Sequence, residues 1–138
     1  MTIKVIADTS FLLECVRRRV DFVDGLERIL NSRVELVVLK PVYEEIKRIS
    51  KGSDERSRYA RLLLQLLAKA RTHILKTDVK VDVDDLLLDI AAKMKLPVAT
   101  NDSSLRRKLR RQGIPVFYLR GLSKIEVDGG DYLGLVRE

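Results

Sequence analysis

One cysteine, one histidine, three prolines and seven glycines are all that 138 residues contain of these types, and each shortage closes off a chemistry. The lone Cys15 cannot form an internal disulfide and reads as a small core residue. His73 lies in a strand-like stretch and, being alone, cannot anchor a usual zinc site. Glycine is sparse until Gly121, Gly129, Gly130 and Gly134, and no Gly-rich phosphate loop, C-x-x-C pair or nucleophile elbow occurs. There is no linker, low-complexity tract or internal repeat. No apolar run is long enough to span a bilayer and no signal-peptide pattern is present, so the expectation is a protein without membrane association, working in the cytoplasm.

What is present is charge and aliphatic bulk. Lys and Arg outnumber Asp and Glu by 27 to 20, a formal charge of +7, and such an excess suits a polyanionic partner. The cations cluster at Arg17-Arg18-Arg19, at Lys47-Arg48 and above all at Arg106-Arg107-Lys108 with Arg110-Arg111. Abundant Leu, Val, Ile, Arg and Lys beside two Asn and two Gln resembles thermophile composition. The length suits a single domain over 1–138, with 120–138 as a C-terminal extension packing on or near a sheet edge; a chain of this size buries about 70% of its unfolded surface.

Strand and helix patterns alternate. Ile3–Ala7, Glu35–Leu39, Thr72–Thr77, Pro97–Thr100 and Pro115–Leu119 read as strands. Ser10–Val16, Phe22–Leu30, Val42–Ile49, Asp54–Ala70, Leu86–Met94 and Ser103–Gln112 carry apolar residues at helical spacing. In Asp54–Ala70 the apolar stripe is Tyr59, Leu62, Leu63, Leu66 and Leu67. Pro41 suits a first helical turn, Asp82 or Asp84 can cap the helix that follows them, and Gly113 ends the basic helix. The order implies an α/β fold: a three-layer α/β/α sandwich around a central, mainly parallel sheet.

Four carboxylates then stand out: Asp8, Glu45, Asp84 and Asp102. Asp8 and Asp102 end strand-like runs, at the sheet edge where open parallel sheets form their sites. Two like charges about 4 Å apart repel by about 4 kcal/mol at an effective dielectric near 20, a cost that a hard divalent cation removes. Each acid also has a plainer explanation. Asp8 and Asp102 can simply cap helices, with Thr9, Ser10, Thr100 and Asn101 orienting a carboxylate or a water, and Asp84 and Asp85 sit where a helix N-terminus welcomes negative charge anyway. Glu45 borders the Val42, Ile46 and Ile49 stripe whereas Glu44 points farther toward solvent, yet an exposed Glu beside Lys47 or Arg48 is equally consistent with the pattern. The basic helix after Asp102 is either a phosphate rail built from Arg106, Arg107, Lys108, Arg110 and Arg111 or a solvated face.

Taken in order, Ala7-Asp8-Thr9-Ser10, Val42-Tyr43-Glu44-Glu45-Ile46, Asp84-Asp85-Leu86-Leu87-Leu88 and Ala99-Thr100-Asn101-Asp102 resemble the four acidic motifs of PIN-domain nucleases. The spacing from Asp84 to Asp102 also suits that family's last two motifs. The ending Gly113-Ile114-Pro115-Val116-Phe117-Tyr118-Leu119-Arg120 is similar to archaeal, VapC-like relatives of ribosomal-RNA processing nucleases. The resemblance implies a metal-dependent endoribonuclease in which Asp8, Glu45, Asp84 and Asp102 hold Mg²⁺ or Mn²⁺, with Thr9, Ser10, Asp85 and Asn101 in the outer shell, leaving 5′-phosphate ends. It implies RNA (rRNA, tRNA or mRNA) as partner, a homodimer, and an antitoxin where the member is a toxin.

Two other classes remain open on sequence alone. One is a noncatalytic RNA-binding or assembly module that uses only the basic helix. The other forms an aspartyl-phosphate at Asp8, as haloacid-dehalogenase-like phosphatases or receiver domains do; against it, the phosphatase pattern wants an Asp where Ser10 stands, and receivers carry their acceptor on a later strand.

Overall fold

Strands buried on both faces need aliphatic side chains at nearly every position, a demand that Val5-Ile6-Ala7 and Leu36-Val37-Val38-Leu39 meet. In the computed structural model, which describes residues 2–77 and 82–129, β1 (Thr2–Ala7) is followed by α1 (Thr9–Arg17), α2 (Phe22–Leu30) and β2 (Arg33–Leu39). Next come α3 (Lys40–Ser50), α4 (Glu55–Lys69), β3 (Thr72–Leu75), α5 (Val83–Met94) and β4 (Val98–Ala99). The last elements are α6 (Ser103–Arg111), β5 (Val116–Arg120) and β6 (Lys124–Asp128). The sheet order is β3-β2-β1-β4-β5-β6. All pairings are parallel except β5 with β6.

From β1 the chain builds outward to β2 and β3, then returns to place β4 on the other side of β1. The strand order therefore reverses between β1 and β4, and a crevice opens beyond the carboxyl ends of those two strands. Backbone hydrogen bonds continue past the strands themselves: Asp8 N–H donates to Ala99 O (3.1 Å), and Thr100 N–H donates to Phe117 O (2.9 Å). Asp8 and Thr100 thus leave the sheet with their backbones fixed.

Local signals account for most element ends. Asp8, Asp21, Asp54, Asp82 and Asp102 each cap a helix with a side-chain oxygen. Pro41 lies in the first turn of α3, where its missing N–H costs little. Gly113, at φ +77°, follows the cap of α6. The core runs from Val5, Ile6 and Phe11 through Leu36, Ile46 and Leu63 to Leu87, Leu105 and Phe117, all fully buried. Cys15 belongs to it, and burial pushes its thiol up to about 12, which keeps it protonated and inert.

Two expectations change. Only part of the apolar stripe of α4 is its packed face: Leu63 and Leu67 are buried, together with Ala60 and Ser57, whereas Leu62 and Leu66 are 46% and 37% exposed. The helix carries a wider apolar arc than its neighbours cover, and Leu62 and Leu66 line an open groove with Cys15, Val16, Val20 and Phe22. Second, Lys124–Asp128 is a strand, paired antiparallel to β5 across a turn in which Gly121 takes φ +63°. Its alternation of charged residues with Ile125 and Val127 is the mark of a half-exposed edge. The rest of the extension, from residue 130 onward, lies outside the described residues.

Candidate active site

Asp8 is the centre of a hydrogen-bond knot. Its Oδ1 accepts from Ser10 Oγ (2.8 Å) and from Phe11 N–H (3.0 Å), while Thr100 Oγ1 donates to its Oδ2. Thr100 is fully buried, and its hydroxyl oxygen also accepts from Asp102 N–H (3.1 Å). One hydroxyl therefore ties the end of β1 to the turn after β4. Ser10 Oγ adds a second tie by accepting from Asn101 N–H (3.0 Å).

Asp102 spends one oxygen on α6, its Oδ1 accepting from Ser104 N–H (2.9 Å) and Leu105 N–H (3.1 Å). Asp84 enters from the first turn of α5. Asp82, not Asp84, caps that helix, accepting from Asp84 N–H (2.9 Å), so the Asp84 carboxylate is left for other use.

Three of these acids sense one another. Burial raises the Asp8 carboxyl to about 6, against the pull of the Thr100, Phe11 and Ser10 donors, and the Asp84 charge adds to the rise. Asp84 is raised too, first by burial and then by Asp102 and Asp82, with Asp85 adding and Lys108 opposing. Among the described residues no Lys or Arg forms an ion pair with Asp8, Asp84 or Asp102. Among the described residues Lys108 is the cation that opposes the rise, and it acts on Asp84. Equally, among the described residues no three acidic side chains are close enough to share one ion: the fold brings the acids to one crevice without closing them on a common centre.

The remaining sequence candidates divide. Glu44 pairs with Lys47 (3.2 Å), which also sits 5.1 Å from the Tyr43 ring centroid. Glu45 has no ion pair among the described residues and is half-buried, but no hydrogen bond joins it to the three aspartates. Thr9 is buried, and Asp85 is exposed and acts on Asp84 through charge alone. Asn101 is occupied elsewhere: its Nδ2 donates to Leu119 O (3.1 Å) and its Oδ1 accepts from Leu119 N–H (2.8 Å). It anchors the loop to β5. Asn101→Ala should therefore lower stability by about 2 kcal/mol, since two backbone groups lose partners. An unchanged urea midpoint would contradict this.

The basic helix is not a uniform rail. Arg110 Nε pairs with Asp128 of β6 (3.2 Å), and Arg106 lies over the Tyr118 ring, 4.2 Å from its centroid. Arg107, Lys108 and Arg111 are exposed. Sequence reading missed the link from Thr100 to Asp8, although a hydroxyl closing the apolar run Pro97-Val98-Ala99 had to find a partner once buried.

Comparison with known proteins follows the same lines. A family model described as a PIN like domain matches residues 5–122. Ribonuclease VapC4 of Methanocaldococcus jannaschii is 32% identical over 127 residues, which is 91% of this chain and 97% of that protein. Ribonuclease VapC9 of Archaeoglobus fulgidus is 27% identical over 124 residues, 89% of this chain and 87% of the other. Among solved structures, the PIN domain endonuclease Utp24 superposes with a TM-score of 0.77 at 26% identity, covering 91% of this chain and 90% of that one. A domain of a functionally unknown protein from Methanocaldococcus jannaschii gives a TM-score of 0.58 at 15% identity, over 86% of this chain and 92% of that one, a likeness of fold alone.

Proposed function

The chain belongs to the PIN-like domain family, and from that premise we propose that it is a metal-dependent endoribonuclease acting as one domain over residues 1–138. The observation that carries the reading is that Asp8, Asp84 and Asp102 gather at the β1/β4 switch point with no Lys or Arg ion-paired to any of them among the described residues. The relatives named as ribonucleases and as an endonuclease support it.

The donor set fits a hard cation. Asp8, Asp84 and Asp102 offer only carboxylate oxygens, which suit Mg²⁺ or Mn²⁺ better than zinc, and Glu45 is the fourth ligand in this reading. The metal, when bound, supplies a water acidic enough to attack phosphorus and positive charge for the leaving oxygen. The protein's own part is positional. Thr100 and Ser10 hold Asp8 in one orientation, and the α6 amides hold Asp102. Asn101 fixes the loop between them, and Asp84 reaches in from α5.

The substrate in this reading is RNA, and Lys108 with the exposed Arg107 and Arg111 draws the strand toward the acids. The likeness to proteins named VapC favours an antitoxin partner, and a homodimer working in the cytoplasm accords with it. Among the described residues no helix is long and apolar enough to cross a membrane.

The deciding experiment maps ends. Total RNA incubated with the protein and Mg²⁺ or Mn²⁺ should gain new 5′-phosphate ends, captured by phosphate-dependent ligation and sequenced. EDTA should abolish them, and so should Asp8→Asn combined with Asp102→Asn. Cleavage that survives in the double variant would remove the proposed centre. That no three acidic side chains among the described residues are close enough to share one ion favours a second reading, an RNA-binding module without cleavage; retention of RNA with no new ends under either metal would establish that one instead.

A further inference from the structure

Beside Asp102 lies a small polar pocket of about 190 Å³, lined by Thr100, Asn101, Asp102, Ser103, Arg106 and Tyr118 with Leu119. That is more than ten times the roughly 15 Å³ one water needs, enough for a hydrated anionic group. We propose that this pocket binds the RNA phosphate adjacent to the one cleaved, with Arg106 as its donor. The inference rests on the endoribonuclease reading and adds a subsite to it.

Arg106 follows Asp102, the N-cap of α6, by four residues, and both side chains line this pocket. The offset along the axis is about 6 Å, a step similar to that between successive phosphates of a strand. The guanidinium lies 4.2 Å from the Tyr118 ring centroid. Stacking of this kind occupies the flat face of the group and leaves its five N–H bonds directed outward in the plane. Its one ion pair among the described residues is long, with Nε 4.0 Å from Asp128 Oδ2, while Arg110 takes Asp128 Oδ1 at 3.2 Å. Among the described residues the Arg106 guanidinium donates no hydrogen bond. A half-buried, stacked arginine whose only partner is a long ion pair through Nε keeps its terminal N–H groups for a two-pronged hold on a phosphate.

The platform under it is fixed from β6. Tyr118 Oη donates to Glu126 Oε2 (3.0 Å), and Arg120 and Lys124 hold Glu126 at 3.2 and 3.6 Å. Tyr118, Glu126 and Asp128 are thus positioning residues. Glu126 and Asp128 lie beyond residue 122, where the family model stops, so this support comes from the chain's own extension. Arg110 is excluded as the donor because it is spent on Asp128 and on Ile114 O (3.2 Å).

The test uses a short RNA spanning a cleavage site mapped by end sequencing, with the linkage on either side of that site replaced in turn by a neutral methylphosphonate. In the wild type, one of the two replacements should lower kcat/KM about tenfold, mainly through KM, as expected for losing a charge-assisted contact. Arg106→Ala should lose about tenfold on the unmodified RNA and less than twofold more on that same neutral linkage. Arg106→Lys, which keeps the charge without the fork, should recover part of the loss. Tyr118→Leu should raise KM while leaving kcat within about twofold. Equal losses from the neutral linkage in wild type and Arg106→Ala would overturn the subsite while leaving the nuclease reading intact. A wild type that produces no metal-dependent ends would overturn both.

Discussion

Asp8→Asn should make the metal-free protein more stable at neutral pH while ending its cleavage of RNA. Burial holds the Asp8 carboxyl up at about 6 in the folded chain, above its ordinary value near 3.9 in the unfolded one. Between about pH 4 and 6 the folded state therefore binds more protons than the unfolded, and stability falls as pH rises through that window. A carboxyl held so far above its ordinary value costs the fold about 3 kcal/mol once it ionises. The Asn carboxamide removes the charge and keeps an acceptor for Phe11 and Ser10, but its new N–H₂ must find Thr100 Oγ1. The net gain should be about 1–2 kcal/mol, a rise in Tm of roughly 3–8 °C. The same change removes a ligand from the proposed centre, and several kcal/mol of transition-state stabilisation lost there corresponds to about a thousandfold in rate. A lower Tm for Asp8→Asn at pH 7.5 in EDTA would show that the carboxylate stabilises the fold by itself, and the case for a charge awaiting a cation would fail.

Mn²⁺ should raise the Tm of the wild type by about 10 °C at pH 8 and by about half as much at pH 5. A ligand at a hundred times its dissociation constant stabilises by about 2.7 kcal/mol, and here binding requires Asp8 and Asp84 to give up protons that burial and mutual repulsion make them keep. The Asp8 carboxyl is occupied by a proton below about 6, so affinity should weaken about tenfold per pH unit below that value. Cleavage should climb over the same range. Differential scanning fluorimetry across pH, with Asp8→Asn as the comparison, reads this directly. An equal shift at pH 5 and pH 8, or one undiminished in Asp8→Asn, would place the ion somewhere else.

Much of this molecule was legible from residue order. The bounds of α2 agree with the periodic reading from Phe22 to Leu30, and Asp8, Asp82 and Asp102 take capping places that the sequence offered them. The placement of Asp8 and Asp102 at strand ends needed only the apolar runs before them. Such features arise within a few residues, because backbone preference, capping and side-chain periodicity are short-range effects.

What the amino-acid order determined by itself was the α/β alternation, the mainly parallel sheet and the family. Tertiary packing alone decided which groups meet. Whether Asp82 or Asp84 capped α5, that Thr100 would bind Asp8, and that Asn101 would be consumed by Leu119 depend on strands juxtaposed by the reversal at β1 and β4. Packing likewise left Glu45 unlinked to the aspartates and sorted the basic helix into Arg110, held by Asp128 of β6, Arg106, stacked on Tyr118 of β5, and cations facing solvent. The physical reason is the same in each case. A charge or a hydrogen-bonding group has several local partners of similar worth, and the choice falls to whichever arrangement leaves the fewest buried polar groups unsatisfied once the core has closed.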